Sequence, residues 1–148
     1  MDTGSAEDSY SKFVKNLEIK EFAIKDLNLK RYFDLEKDKS KFKGGLNFTL
    51  SETTYEVINE RIFKYLIDLE VNGTTENEED TFIIEITFEV YYGLQEGVES
   101  LEDNIEKFTN TAIFNSWPFI RESIHDLSDR MGLKLPKLPL LLPSDKKT

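Results

Sequence analysis

"FKYLIDLEV" (residues 63–71) and "FIIEITFEVYY" (residues 82–92) carry the reading that decides the fold. Phe63, Tyr65, Ile67, Leu69 and Val71 fill every odd position of the first stretch. Phe82, Ile84, Ile86, Phe88, Val90 and Tyr92 fill every even position of the second. Successive side chains of an extended chain point to opposite sides, so period two over such lengths predicts two long strands, each with one buried face. The polar stretch "NGTTENEED" (residues 72–80) between them predicts an antiparallel hairpin. Ile62, Leu66, Ile83 and Tyr91 fall on the opposite faces, where a second partner could cover them.

On the N-terminal side, the apolar pairs Leu17/Ile19, Phe22/Ile24 and Leu27/Leu29 alternate in bursts whose phase slips at Lys20-Glu21 and at Lys25-Asp26. That pattern predicts one long strand with bulges at the slips. "KDKSKFKGG" (residues 37–45) reads as a turn, and Leu46, Phe48 and Leu50 alternate with Asn47 and Thr49 as a second, short strand. After Gly97 the period changes. Leu101, Ile105, Phe108 and Ala112 follow helical spacing, and Trp117, Ile120, Ile124, Leu127 and Met131 repeat at three and four residues as one apolar seam. Pro118 fits the first turn of a helix capped by Ser116, or else kinks one continuous helix, and Gly132 reads as the helix stop. The expected fold is therefore α+β: a four-stranded antiparallel sheet, then a long C-terminal helix that Pro118 starts or kinks, then a Pro/Leu-rich extended loop. One domain is expected over residues 13–143, with a flexible tail at 1–12 and a polar tail at 144–148.

Composition removes several classes of function. The chain has 148 residues, a net charge of −10 and no cysteine. An acidic chain with its lysines interleaved among carboxylates repels a phosphate backbone, so nucleic acid is not expected as a partner. Without cysteine there is no disulfide, thiol nucleophile or thiolate metal site. No early apolar segment follows Met1 and no run approaches the roughly 18 apolar residues of a membrane span, so neither secretion nor membrane insertion is expected and the location reads as cytoplasmic. The glycosylation patterns at Asn47 and Asn72 would then never meet the enzyme that uses them. One histidine is present, His125, among Arg121, Asp126 and Asp129; a lone helical His in such company is far more often a solvated surface residue than a ligand or base. "NEED" (residues 77–80) lacks the alternating ligands and central glycine of a calcium loop, and a solvated hairpin tip is the better reading. No phosphate loop, nucleophile elbow or metal-spaced His set is present, so neither an enzyme, a metal nor a cofactor is expected.

What remains is apolar surface. The seam at Trp117, Ile120, Ile124, Leu127 and Met131 can face its own sheet or pair with a copy of itself, and the sheet has two partly apolar faces for few helical residues to cover, which favours an oligomer. A third apolar segment follows, "GLKLPKLPLLLP" (residues 132–143), oily yet too interrupted by proline for a helix or central strand.

At these residues the chain resembles the SecB family of protein-export chaperones. The family enters its long helix through a phrase like aromatic-Pro-aromatic-x-Arg-Glu and leaves it through a glycine and a Pro-x-Leu-x-Leu loop. The corresponding residues are Trp117-Pro118-Phe119-Ile120-Arg121-Glu122, then Gly132 and Pro136-Lys137-Leu138-Pro139-Leu140, closing at Pro143. In order of elements the resemblance spans residues 13–143. It implies a homotetramer, a dimer of dimers, that holds unfolded or slow-folding polypeptides without ATP and without catalysis. Client-binding residues would be Leu46, Phe48 and Leu50 on the short strand, Phe114 and Trp117 near the helix start, and Leu138, Leu140 and Leu142 on the loop. The seam from Trp117 to Met131 would join copies. Export members dock on the SecA motor through an acidic patch. Asp26, Ile83 and Glu85 fall where that patch would be, although Lys30 stands at a position where an acidic residue is expected. Family members continue into a second helix over the groove, whereas this sequence ends five residues after Pro143, which implies an uncovered groove or a shortened form. Within the family a relative can instead serve a toxin–antitoxin pair. Outside it, an oligomeric scaffold or assembly protein would fill the same apolar surface permanently.

Overall fold

The computed structural model describes residues 5–34, 46–75, 77, 79–98 and 102–133. The central pair forms as its pattern requires: β4 (Ile62–Thr74) and β5 (Asp80–Leu94) are antiparallel, with Phe63 opposite Tyr92, Ile67 opposite Phe88 and Val71 opposite Ile84. Every odd residue of β4 from Phe63 to Val71 and every even residue of β5 from Phe82 to Tyr92 is buried. At the tip the Thr75 hydroxyl accepts from the backbone N–H groups of Asn77 and Glu79, both at 3.2 Å. Gly73 lies under the ring of its partner Phe82, and a Cβ at this position would overlap that ring.

β1 (Leu17–Arg31) pairs antiparallel with the far side of β5, with register shifts between Ile19 and Glu21 and between Ile24 and Asp26. These are the two predicted bulges. Each inserts one residue, Lys20 or Lys25, and so returns Phe22 and Leu27 to the face that carries Ile19 and Ile24. On the other side of β4 lie β2 (Leu46–Leu50) and β3 (Thr54–Val57), end to end. Leu50 opposes Leu69 and Thr54 opposes Leu66, so four residues of this edge answer three of β4. The extra residue moves the core-facing side chains from even positions (Phe48, Leu50) to odd ones (Tyr55, Val57). The sheet order is β1-β5-β4-β2 with β3 beside β2 on β4, so the predicted short strand forms as β2 and β3 is a fifth strand that the sequence pattern did not show. The predicted turn at residues 37–45 lies outside the described residues.

Helices cover one face. α1 (Ser5–Lys15) corrects the expectation of a tail for residues 5–12; residues 1–4 lie outside the described residues. Its Phe13 is fully buried, stacked on Phe63 at 5.7 Å and edge-on to Phe108 at 6.2 Å. Two anchors, Tyr10 and Phe13, are too few to show as a helical stripe in so polar a sequence, but three residues apart they share a helix face. α2 (Glu102–Lys107) leads through Phe108 into α3 (Thr109–Arg130), and the bonds from Phe108 N to Asn104 O and from Ala112 N to Phe108 O carry the helical pattern across the join. α3 runs unbroken past Pro118, which selects one continuous helix over a helix start there. Ser116 is accordingly no cap but a buried mid-helix residue. α3 ends where the glycine predicts: Gly132 has φ 79°, Leu133 N donates to Ser128 O and Gly132 N donates to Asp129 O, which satisfies the last carbonyls.

Candidate functional site

Ala112, Ile113, Trp117, Ile120 and Ile124 point from α3 into the sheet, and Leu127 and Met131 pack half-buried against the same core. The seam is therefore consumed by its own chain, which corrects its assignment as an oligomer interface. The helix is amphipathic and the β4–β5 face beneath it is wholly apolar, so contact within one chain forms first and at no cost in association entropy.

Two flanks of α3 stay open. On the β2 flank, Phe48 meets Trp117 edge-on at 5.2 Å, and Phe48 and Leu50 are half-buried against the core. Beside them Leu46 is 37% exposed and Phe114 54% exposed. The structure thus brings together Leu46, Phe48, Leu50 and Trp117 as the sequence predicts, but Trp117 is buried and serves as the wall behind Phe48, which corrects its reading as a contact residue. Leu138, Leu140 and Leu142 lie outside the described residues. On the β1 flank, Phe22 is sandwiched between Phe88 at 5.1 Å and Phe119 at 5.2 Å. Around it Ile19 (42%), Ile24 (44%), Leu27 (44%) and Phe119 (50%) are exposed on the helix side. Sequence reasoning placed these on a strand and a helix but missed their exposure. The signal that finds it is strand order, because β1 is an edge and no helix reaches beyond it.

The opposite face of the sheet is mostly polar, with Ile62, Leu66, Ile83 and Tyr91 half-buried among its charged side chains. Asp26, Ile83 and Glu85 all lie on it: Asp26 opposes Thr87, Asn28 opposes Glu85, and Lys30 opposes Ile83. Asn28 donates to Glu85 at 2.7 Å and Thr87 to Asp68 at 2.5 Å, and these residues line an open depression of about 390 Å³. Lys64 is held between Glu89 at 2.6 Å and Glu56 at 3.2 Å and lies over the Tyr91 ring. Its hydrogen bond to Glu89, then that to Glu56, keeps its ammonium charged well above the usual lysine range. On the buried side, desolvation raises both the Tyr65 and the Tyr92 phenols, and Tyr65 donates to Ile105 O at 2.6 Å.

None of this resembles a reaction centre. His125 is 3.7 Å from Asp129 at the surface, and among the described residues no group of three or more His, Asp or Glu is placed to hold a metal ion. Among them, too, no helix is long and apolar enough to cross a membrane.

This arrangement has a counterpart among solved structures. The chain superposes on a Mycobacterium tuberculosis SecB-like chaperone, Rv1957, solved in complex with a ChAD peptide from the Rv1956 HigA1 antitoxin. The TM-score is 0.75, over 92% of this chain and 98% of that one. The fold is SecB-like. Identity to that chaperone is only 16%, so the likeness is one of fold. A second structure, a protein of unknown function from Streptococcus agalactiae, aligns over 85% of this chain with 14% identity and a TM-score of 0.43. No protein-family model and no curated protein matches the sequence. Of the features by which the sequence resembled SecB, the strands followed by a long helix stopped by glycine belong to the SecB-like fold described here, the Trp117-to-Glu122 phrase lies inside α3 and not at its entry, and the loop at residues 136–140 lies outside the described residues.

Proposed function

We propose that this chain is a chaperone that holds unfolded or slow-folding polypeptides without nucleotide and without catalysis. The observation that carries the proposal is the β2 flank: Leu46 and Phe114 stand exposed beside half-buried Phe48 and Leu50, with Trp117 as a rigid wall, on a chain with the SecB-like fold. Exposed apolar side chains beside a sheet edge suit an extended client, because they take side chains of many shapes while the client's backbone stays free to pair. β2 is such an edge. Leu138, Leu140 and Leu142 would extend the same surface. The protein would act in the cytoplasm as a homo-oligomer, a dimer of dimers.

A narrower reading, a chaperone dedicated to one antitoxin-like partner, draws support from the Mycobacterium tuberculosis structure, which holds an antitoxin peptide. Docking on a SecA-type motor through Asp26, Ile83 and Glu85 is the corresponding export reading. A permanent scaffold is the remaining one.

The test mixes the protein with denatured, aggregation-prone clients and follows light scattering without nucleotide. Suppression across several clients is the expected result, and Leu46→Ser with Phe114→Ser should remove most of it while leaving the fold intact, because both side chains are exposed. Suppression of one client alone selects the dedicated reading. Unchanged aggregation of every client at several-fold excess sinks the chaperone reading.

A further inference from the structure

Pro118 sits in the interior of α3 without belonging to the core. Trp117 before it and Ile120 after it are buried, whereas Pro118 itself is exposed. Proline lacks the N–H that an α-helix uses at each interior position, and its ring crowds the carbonyl four residues back. Here that carbonyl belongs to Phe114. An exposed ring recovers little of the loss by burial, so the residue costs stability where it stands.

The stripped carbonyl lies on the β2 flank. The peptide C=O of a helical residue points along the axis toward the residue four on, with the side chains three and four ahead standing on either side of its path. For Phe114 those are Trp117 and Pro118. Trp117 is the wall that meets Phe48 at 5.2 Å, and the Phe114 side chain is 54% exposed on the same flank. The open apolar surface is thus edged by a peptide acceptor that has no α-helical donor. Placement matters here. A proline one residue earlier would strip the carbonyl of Ile113, which is buried against the sheet. One residue later it would strip that of Asn115, about 100° further round the helix and away from β2.

We propose that the Phe114 carbonyl is a client-binding group: it accepts a hydrogen bond from one backbone N–H of an extended apolar polypeptide seated on Leu46, Phe48 and Phe114, and Pro118 is the residue that frees it. This rests on the chaperone reading and names one contact by which such a surface holds a chain regardless of its sequence. An apolar surface takes the backbone it covers out of water, and a peptide N–H left there without an acceptor is costly. Leucine and phenylalanine side chains cannot meet that need. A backbone carbonyl can, and it asks nothing of the client's side chains, because every residue except proline carries the donor. A regular helix offers no such group along its middle, since each interior carbonyl is taken by the N–H four residues on. The stability that Pro118 costs is therefore spent where the open surface gains an acceptor, as local strain at binding sites often is.

The test titrates a labelled, uncharged apolar peptide into the full chain and into Pro118→Ala, which returns the N–H. The variant should bind about three- to tenfold more weakly, the loss of one neutral hydrogen bond, while its thermal midpoint rises. Weaker binding by a more stable protein separates a binding role from a damaged surface. Ester replacements then locate the bond. Among peptides in which one amide N–H at a time is replaced by an ester oxygen, one should bind the natural chain comparably more weakly, yet bind Pro118→Ala as well as the parent peptide does. A chain with the α-hydroxy analogue of alanine at position 118 lacks the N–H without the proline ring, and it should keep the natural affinity. Unchanged affinity of Pro118→Ala overturns the inference and leaves a carbonyl that only holds water. So does an ester scan that costs the same on both chains, or a position-118 ester that binds as weakly as Pro118→Ala. A natural chain that binds the peptide while Pro118→Ala binds it equally sinks this inference alone, whereas a chain that binds no peptide and protects no client sinks the chaperone reading with it.

Discussion

Gly73 shows how narrowly single residues are constrained here. Its register partner Phe82 lays a ring over the glycine, so Gly73→Ala drives a methyl group into a buried aromatic at the end of the β4–β5 pair. Overpacking of this kind costs about 1–3 kcal/mol, and the urea midpoint should fall accordingly with the slope unchanged. Tyr65 is constrained by its proton. Burial keeps the phenol neutral above its usual range, and the carboxylates beside Lys64 keep that ammonium charged above its own. A folded-state value raised above the unfolded one adds stability that is fully present below the unfolded value and is lost as pH rises through the folded one. Both groups therefore act in the same alkaline window, above about pH 10. Urea midpoints should hold level up to that point and then drop, and Tyr65→Phe should make the drop shallower, at the expense of about 1 kcal/mol at neutral pH from the lost bond to Ile105. A midpoint indifferent to pH across that window would contradict the assignment.

Among the elements, α1 is the one that sequence patterns missed, and α3 is the one they left open at Pro118. α1 is held by a tertiary contact: Phe13 fits among Phe63, Phe108 and Tyr10. Phe13→Ala should cost about 3–5 kcal/mol and release α1, seen as rapid amide exchange over residues 9–15 with the strands still protected. A uniform loss of protection instead would mean that α1 is integral to one cooperative unit. α3 carries Pro118 in its interior, where the missing N–H leaves the Phe114 carbonyl without its helical partner. Packing of Trp117, Ile120 and Ile124 on the sheet outweighs that local penalty. Pro118→Ala should therefore stabilise the protein, on the order of 1 kcal/mol or more, measurable as a higher thermal midpoint. The long hairpin, both β1 bulges and the Gly132 stop were legible because each is a local event: period two, a slip of phase, a left-handed residue after an apolar stripe. The split of the outer edge into β2 and β3 was not, because its extra residue shows only against the register of β4.

For the whole molecule, charge and apolar surface are segregated. The polar face of the sheet carries Asp26, Asp68, Glu70 and Glu85, whereas the flanks of α3 carry Leu46, Phe114, Ile19, Ile24 and Leu27. Any basic partner of the polar face should lose affinity as salt rises, while client holding by the β2 flank should persist or strengthen at the same concentrations. Protection assays at low and roughly molar salt separate the two, and client holding that collapses with salt would place the binding surface on the polar face.

Alternation, bulge spacing and helix termini depend on residues a few positions apart, so the chain by itself determined its α+β class, its central hairpin and where its last helix stops. Exposure depends on which strand lies at an edge and how far a helix reaches, and those are relations between residues far apart in the chain. For that reason only the tertiary structure decided that the seam of α3 is core, that Trp117 is a wall and not a contact, and that the open apolar surface lies along β1 and β2.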